Sequence, residues 1–175
     1  MIKLKDLISE RRNLYVFDFD DTLVKSTAFI KVKKKSGEIV KLTPEQYAKY
    51  VKETGDEFDY SDFNNAIIQN PKPISQNINS LRSVFNNPQN KVTILTARGL
   101  VFPVRYYFKK AFGFEPYVVG LGDSDPTKKS DWIENHIKKG YKNIFFIDDS
   151  EKNVSAVRKL KSKYPNINLR AIHHK

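Results

Sequence analysis

Residues 15–24, YVFDFDDTLV, set Asp18, Asp20 and Asp21 into a run that otherwise has the composition of a buried strand. Residues 14–19, LYVFDF, form a short, nearly continuous apolar segment rich in aromatic and β-branched side chains, the pattern of a strand covered on both faces. Carboxylates in such a place are costly unless something compensates their charge. Alternate residues of an extended segment face the same side, so Asp18 and Asp20 can address one ligand.

Three later segments resemble this one: KVTILT (91–96), YVVGL (117–121) and NIFFID (143–148), with a weaker INLRAI at 167–172. Helical stripes lie between them. Ile74, Ile78, Leu81 and Phe85 recur at helical spacing before Pro88, and Val101, Val104, Phe108 and Phe112 recur before Gly113. Trp132, Ile133, His136 and Ile137 end at Gly140, and Val154, Val157, Leu160 and Tyr164 end at Pro165. Strands alternating with helices imply βαβ units. The expected fold is α/β: a Rossmann-like three-layer sandwich with a mainly parallel five-stranded sheet.

Residues 25–73 interrupt the alternation. AFIKVKKKSGEIVKL reads as a β-hairpin turning at Ser36-Gly37, with a basic outer face. TPEQYAKYVKETG reads as a helix capped by Thr43, with Pro44 in its first turn and Gly55 as its stop. DEFDYSDFNNAIIQNPKP reads as irregular. The expected organisation is a core of residues 1–24 and 74–175, with an insert over 25–73 too poor in large apolar residues to be an independent domain. Residues 1–13 read as a short amphipathic lead-in.

With 175 residues, 12 Phe and 9 Tyr, the chain can bury a substantial single core. The 31 Lys+Arg against 20 Asp+Glu give a formal charge of +11, which can steer anionic partners or simply coat a soluble surface. The absence of cysteine excludes disulfides, thiolate nucleophiles and thiolate metal sites. No apolar run approaches the roughly 20 residues of a membrane span, and the first residues lack the apolar core of a signal peptide. A soluble cytoplasmic protein with no membrane partner is expected.

Parallel sheets bind ligands beyond the carboxyl ends of their strands. There the sequence places Asp18, Asp20 and Thr22 after the first strand, Thr96 and Arg98 after the second, and Asp148 and Asp149 after the fourth. A helix opening in DPTKKSDWI offers Lys128 and Lys129. Lys129 lies three residues before Trp132 and four before Ile133, on the inward stripe, and is favoured over Lys128. Crowded carboxylates repel, and a hard divalent cation relieves that. Mg²⁺ takes oxygen ligands from one or two carboxylates, water and substrate phosphate.

The order DFDDT, ILTAR, a helix-borne lysine, then FIDDS resembles the haloacid dehalogenase superfamily of phosphohydrolases over residues 14–150. The resemblance implies roles. Asp18 matches the nucleophile that forms an aspartyl-phosphate, and Asp20 the general acid/base, its carbonyl also binding metal. Thr96 matches the phosphate-binding hydroxyl, and Lys129 the cation beside the nucleophile and the phosphoryl oxygens. Asp148 matches a direct Mg²⁺ ligand, Asp149 a direct or water-mediated one, and Thr22 the residue that steadies the turn after the nucleophile. Asp21 stands where many relatives have glycine. Arg98 has no fixed role there; it contacts the leaving group or holds a helix end. Asn153 reads as a first-turn helix residue, with contact to the Asp148–Asp149 loop as the alternative. His173 and His174 read as a frayed or metal-sticky tail.

An insert after the first motif often forms a cap in that superfamily. KVKKK (31–35) would then favour polyanions, and Tyr47, Tyr50, Phe58, Tyr60 and Phe63 either stack on a base or pack the cap. The expected activity is phosphomonoester hydrolysis on a phosphorylated small molecule or nucleotide, with a nucleic-acid terminus as a further candidate. The rival expectation is a nucleic-acid or phospholigand binding module with little catalysis.

Overall fold

The computed structural model describes residues 13–65 and 67–175. The lead-in read over 1–13 lies, but for Asn13, outside the described residues. In chain order come β1 (Asn13–Phe17), β2 (Val24–Lys25), β3 (Ile30–Lys33), β4 (Ile39–Leu42), α1 (Pro44–Lys49), β5 (Glu57–Asp59), a 3-10 turn (Ser61–Asn64) and β6 (Lys72–Pro73). Then follow α2 (Ser75–Phe85), β7 (Asn90–Thr96), α3 (Phe102–Phe112), β8 (Tyr117–Gly120), α4 (Pro126–Lys138), β9 (Asn143–Asp148), α5 (Glu151–Arg158), α6 (Leu160–Lys163) and β10 (Asn168–His173).

Five strands form one sheet in the order β10-β9-β1-β7-β8, with every pair parallel. Period-2 alternation splits β1 between two cores. Leu14 and Val16 pack with Ile133 and Ile137 of α4 and with Val154 and Val157 of α5. Phe17, followed by Phe19, packs with Ile78 and Leu81 of α2 and with Val104 and Phe108 of α3. Helices thus flank the sheet, consistent with a Rossmann-like arrangement. From β1 the chain steps outward through β7 and β8, then returns to the other side for β9 and β10. The strand order therefore reverses beside β1, the position where open α/β sheets leave a crevice.

The helix ends follow local chemistry. Gly113 ends α3 in the left-handed conformation at φ 75°, and Asp125 caps α4 by accepting from Thr127 N at 2.8 Å. The final stripe is two helices, because the backbone tightens at Lys159 between α5 and α6.

Residues 25–73 leave and return through β2 and β6, which pair antiparallel. Between them β4, β3 and β5 form a three-stranded antiparallel sheet, not a lone hairpin. The sequence hides β5 because Phe58 is its single apolar residue, and its flanking acids are there to meet lysines. Lys33 binds Glu57 at 3.3 Å, Lys31 binds Asp62 at 3.1 Å and Lys34 binds Glu53 at 3.0 Å. The basic outer face expected of KVKKK is thus largely ion-paired. The whole segment holds nine lysines against seven acids, a net of +2 out of +11, so most of the excess charge lies elsewhere. Helix α1 has the expected Thr43 capping box and Pro44, but stops at Lys49 rather than near Gly55. Tyr50 turns out of the helix, and its hydroxyl donates to Asp56 at 2.8 Å.

Candidate active site

Asp18 continues the β1 ladder by one bond, its N–H donating to Ile147 O at 3.0 Å. Alternation places its side chain on the Leu14/Val16 side, toward α4. There Lys129, one turn into α4, donates from Nζ to Asp18 Oδ1 and to Asp148 Oδ2, both at 2.6 Å. All three side chains are buried: Asp18 is 5% exposed, Lys129 3% and Asp148 0%. Lys128, by contrast, is half exposed and lies 3.8 Å from Asp123. The helical stripe thus distinguishes the two lysines as their spacing implied.

Asp148 ends β9 and is the most fully bonded acid of the site. Besides Lys129 it accepts from Ser150 N at 2.8 Å and from Asn153 Nδ2 at 2.9 and 3.1 Å. The first-turn position of Asn153 in α5 is what brings its amide to this carboxylate, so the helix reading and the site contact coincide. Asp149 is tied to the first loop: its N–H donates to Thr22 Oγ1 at 2.9 Å, and the Thr22 hydroxyl lies 3.4 Å from Asp149 Oδ1. Thr22, fully buried, therefore joins the β1 and β9 loops rather than only steadying its own turn.

The charges are in tension. Burial, partly offset by Lys129, and the neighbouring Asp148 and Asp20 push Asp18 up to about 7. Burial and the charges of Asp18 and Asp148 push Asp149 up to about 9. Burial disfavours the Lys129 ammonium, yet Asp148 and Asp18 outweigh it and hold its pKa above the ordinary value. One buried cation does not neutralise three carboxylates. Asp18, Asp148 and Asp149 can each offer an oxygen within 4.8 Å of the others. The donor set is oxygen only and, when its three carboxyl groups ionise, exceeds the charge that Lys129 offsets, so it fits a hard cation. Among the described residues this is the one group of three or more acidic, His or Cys side chains so placed.

Asp20 is held differently. Arg98 donates from Nε to Oδ2 at 2.8 Å and from Nη2 to Oδ1 at 2.7 Å, a fork occupying both carboxylate oxygens. Asp18 and Asp20 line one cavity of about 850 Å³, with Lys129, Asp148 and Asp149 on its floor. Tyr47, Tyr50, Tyr60 and Phe63 from segment 25–73 form part of its wall. These aromatics also pack one another: Phe63 and the two tyrosines of residues 47 and 50 sit with Phe58 against Ile30, Val32 and Leu42, and the Tyr47 and Tyr60 hydroxyls are 2.7 Å apart. Thr96, 1% exposed, is not among the residues that line this cavity; its Oγ1 accepts from Arg98 N at 3.2 Å.

Asp21 adopts φ 56°, the left-handed region where glycine is at ease and aspartate is tolerated. Its N–H donates to Val24 O at 2.9 Å to close the turn after Asp20. Two supports escaped the sequence. Asn77 of α2, 4% exposed, donates from Nδ2 to Thr22 O at 2.8 Å. A polar residue beside Ile78 on an apolar stripe was the available signal. His173 is the last residue of β10 and not a frayed tail. Its Nε2 is 2.8 Å from Asp149 O, and His174 N donates to Asp148 O at 2.9 Å. No sequence spacing links it to Asp149; the parallel β9–β10 register does. No helix among the described residues is long and apolar enough to cross a membrane. In comparisons with known proteins, no family model, no curated protein and no solved structure matches the chain.

Proposed function

We propose that this protein is a Mg²⁺-dependent phosphatase of the haloacid dehalogenase type, hydrolysing phosphomonoesters through an aspartyl-phosphate. In this reading the fold is that superfamily's three-layer sandwich, and residues 25–73 are a cap that shapes the substrate cavity. The observation that carries it is the buried carboxylate of Asp18 at the end of the central strand. It has an ammonium at 2.6 Å, two further carboxylates within 4.8 Å and Asp20 two residues on.

Asp18 Oδ attacks phosphorus and the ester P–O bond breaks, leaving phosphate on Asp18. Asp20 in its acid form gives its proton to the departing alkoxide. The resulting Asp20 carboxylate then takes a proton from water as the water oxygen attacks phosphorus. The Asp18–phosphorus bond breaks, inorganic phosphate leaves, and both carboxyl groups are restored. Lys129 fixes the direction of Asp18 and offsets charge on the transferring group. Thr22, Asn153 and Asn77 hold the two loops together. Mg²⁺ held by Asp18, Asp148 and Asp149 would offset the charge of these acids and of the phosphoryl oxygens. A cavity of about 850 Å³ accepts a nucleotide-sized monoester. The rival reading, a nucleic-acid binding module on this fold, has less support from KVKKK than its charge suggests, because Lys31, Lys33 and Lys34 have acidic partners.

The test is hydrolysis of p-nitrophenyl phosphate. Turnover that requires Mg²⁺, stops with EDTA and is lost in Asp18→Asn supports the reading. Folded protein that turns over neither this ester nor a panel of nucleotides and sugar phosphates ends it.

A further inference from the structure

Arg98 is 5% exposed, and three of its nitrogens are committed. Nε and Nη2 hold the two oxygens of Asp20, while Nη1 donates to Phe63 O at 3.2 Å. Phe63 belongs to the 3-10 turn of segment 25–73. The guanidinium carbon lies 5.0 Å from the Phe63 ring centroid and 5.4 Å from that of Phe19, so the fork sits between an aromatic of the β1 loop and one of the wall. Its backbone is fixed as well. Arg98 N donates to Thr96 Oγ1 at 3.2 Å, and Gly122 N donates to Arg98 O at 3.3 Å. Gly120 allows the β8 backbone to approach it closely, since a Cβ at that position would meet Arg98 O at 2.5 Å.

This anchorage has a directional consequence. The β1 loop alone does not aim the Asp20 carboxylate. A planar fork does, and the same fork is bonded to the cavity wall. We propose that Arg98 is the positioning residue for Asp20 and couples its aim to the Phe63 turn, so that proton delivery to the leaving group depends on residues 61–64. The proposal rests on the phosphatase reading. A lysine at position 98 would keep the charge but could not hold both oxygens and the Phe63 carbonyl in one plane.

The leaving group provides the readout. p-Nitrophenolate departs without a proton, whereas an alkoxide needs one. The experiment compares kcat/KM, which reports formation of the aspartyl-phosphate and not its hydrolysis, for p-nitrophenyl phosphate and for glycerol phosphate in wild type, Arg98→Lys, Asp20→Asn and the double variant, with thermal melts of each. Arg98→Lys is expected to lower kcat/KM on the alkyl ester by about 10- to 100-fold and on the aryl ester by less than about 3-fold. The double variant should be no slower on the alkyl ester than Asp20→Asn alone, because both changes remove one function. Equal losses on both esters, or multiplicative losses in the double variant, overturn the proposal. Phe63→Ala provides the check if Arg98→Lys does not fold. A selective loss on the alkyl ester supports the coupling, and an unchanged alkyl-to-aryl ratio refutes it. Wild type inactive on both esters would instead overturn the phosphatase reading itself, and the coupling with it.

Discussion

Asp149→Asn should make the metal-free protein more stable while removing its response to Mg²⁺. Asp149 is pushed up to about 9 by burial and by the charges of Asp18 and Asp148, against 3.8 for a free aspartate. A carboxyl group with a raised folded-state pKa contributes stability at low pH. That contribution is lost as pH rises from about 4 through the folded value. At pH 7 the folded protein must keep a proton on a group that the unfolded chain releases. At 1.36 kcal/mol per unit the penalty approaches about 4 kcal/mol, less whatever solvent at the partly exposed carboxyl screens. Asparagine keeps an oxygen for the Thr22 hydroxyl and never ionises. We expect Asp149→Asn to gain about 2–4 kcal/mol at pH 7 in EDTA, raising Tm by about 4–16 °C at this chain length. Wild type should gain about 2.7 kcal/mol from Mg²⁺ at a hundred times its Kd, and more at pH 8 than at pH 6, because binding requires the ionised carboxylates. The variant should gain little. Differential scanning calorimetry in EDTA and in Mg²⁺ at several pH values measures all of this. An Asp149→Asn protein that melts below wild type in EDTA at pH 7, or that keeps the full Mg²⁺ gain, would contradict this charge balance.

Two further substitutions probe the same electrostatics. Lys129→Met strips the buried ammonium from Asp18 and Asp148, and should destabilise the metal-free protein by about 3–5 kcal/mol at pH 8. The loss should shrink at pH 5, where the raised Asp18 and Asp149 carboxyls are protonated; chemical denaturation at both pH values checks it, and a pH-independent loss counts against the charge argument. Asp21→Gly should relieve left-handed strain of about 1 kcal/mol. Burial and Asp20 also push Asp21 up to about 6, so its stabilising contribution fades as pH rises from about 4 through 6 and the gain from glycine should be larger at pH 7 than at pH 4. Lower Tm for Asp21→Gly at pH 7 would contradict both parts.

Much of the core was readable because its signals are local and repeated. The apolar runs at 14–19, 91–96, 117–121, 143–148 and 167–172 correspond to the five parallel strands within a residue or two at each end. Lys129 was separable from Lys128 because a stripe of period 3.6 assigns each position a direction. The segment over 25–73 was less readable. β5 has one apolar residue and gains its place from lysines on β3, which no window around Glu57–Asp59 contains. The end of α1 is set by Tyr50 reaching Asp56 and not by the glycine further on.

Periodicity along the chain specifies the parallel α/β order, the strand-end placement of Asp18, Thr96 and Asp148, and the inward face of Lys129. Each follows from a period of 2 or 3.6 and from the rule that strands of such a sheet share one carboxyl edge. How those acids are held depends instead on contacts between distant parts of the chain. Arg98 reaches Asp20 across 78 residues of chain, Thr22 reaches Asp149 across 127, and His173 meets Asp149 through the β9–β10 register. Such pairings depend on which loops the sheet brings side by side, and the hydrophobic pattern that orders the strands carries no record of polar side chains meeting beyond their ends.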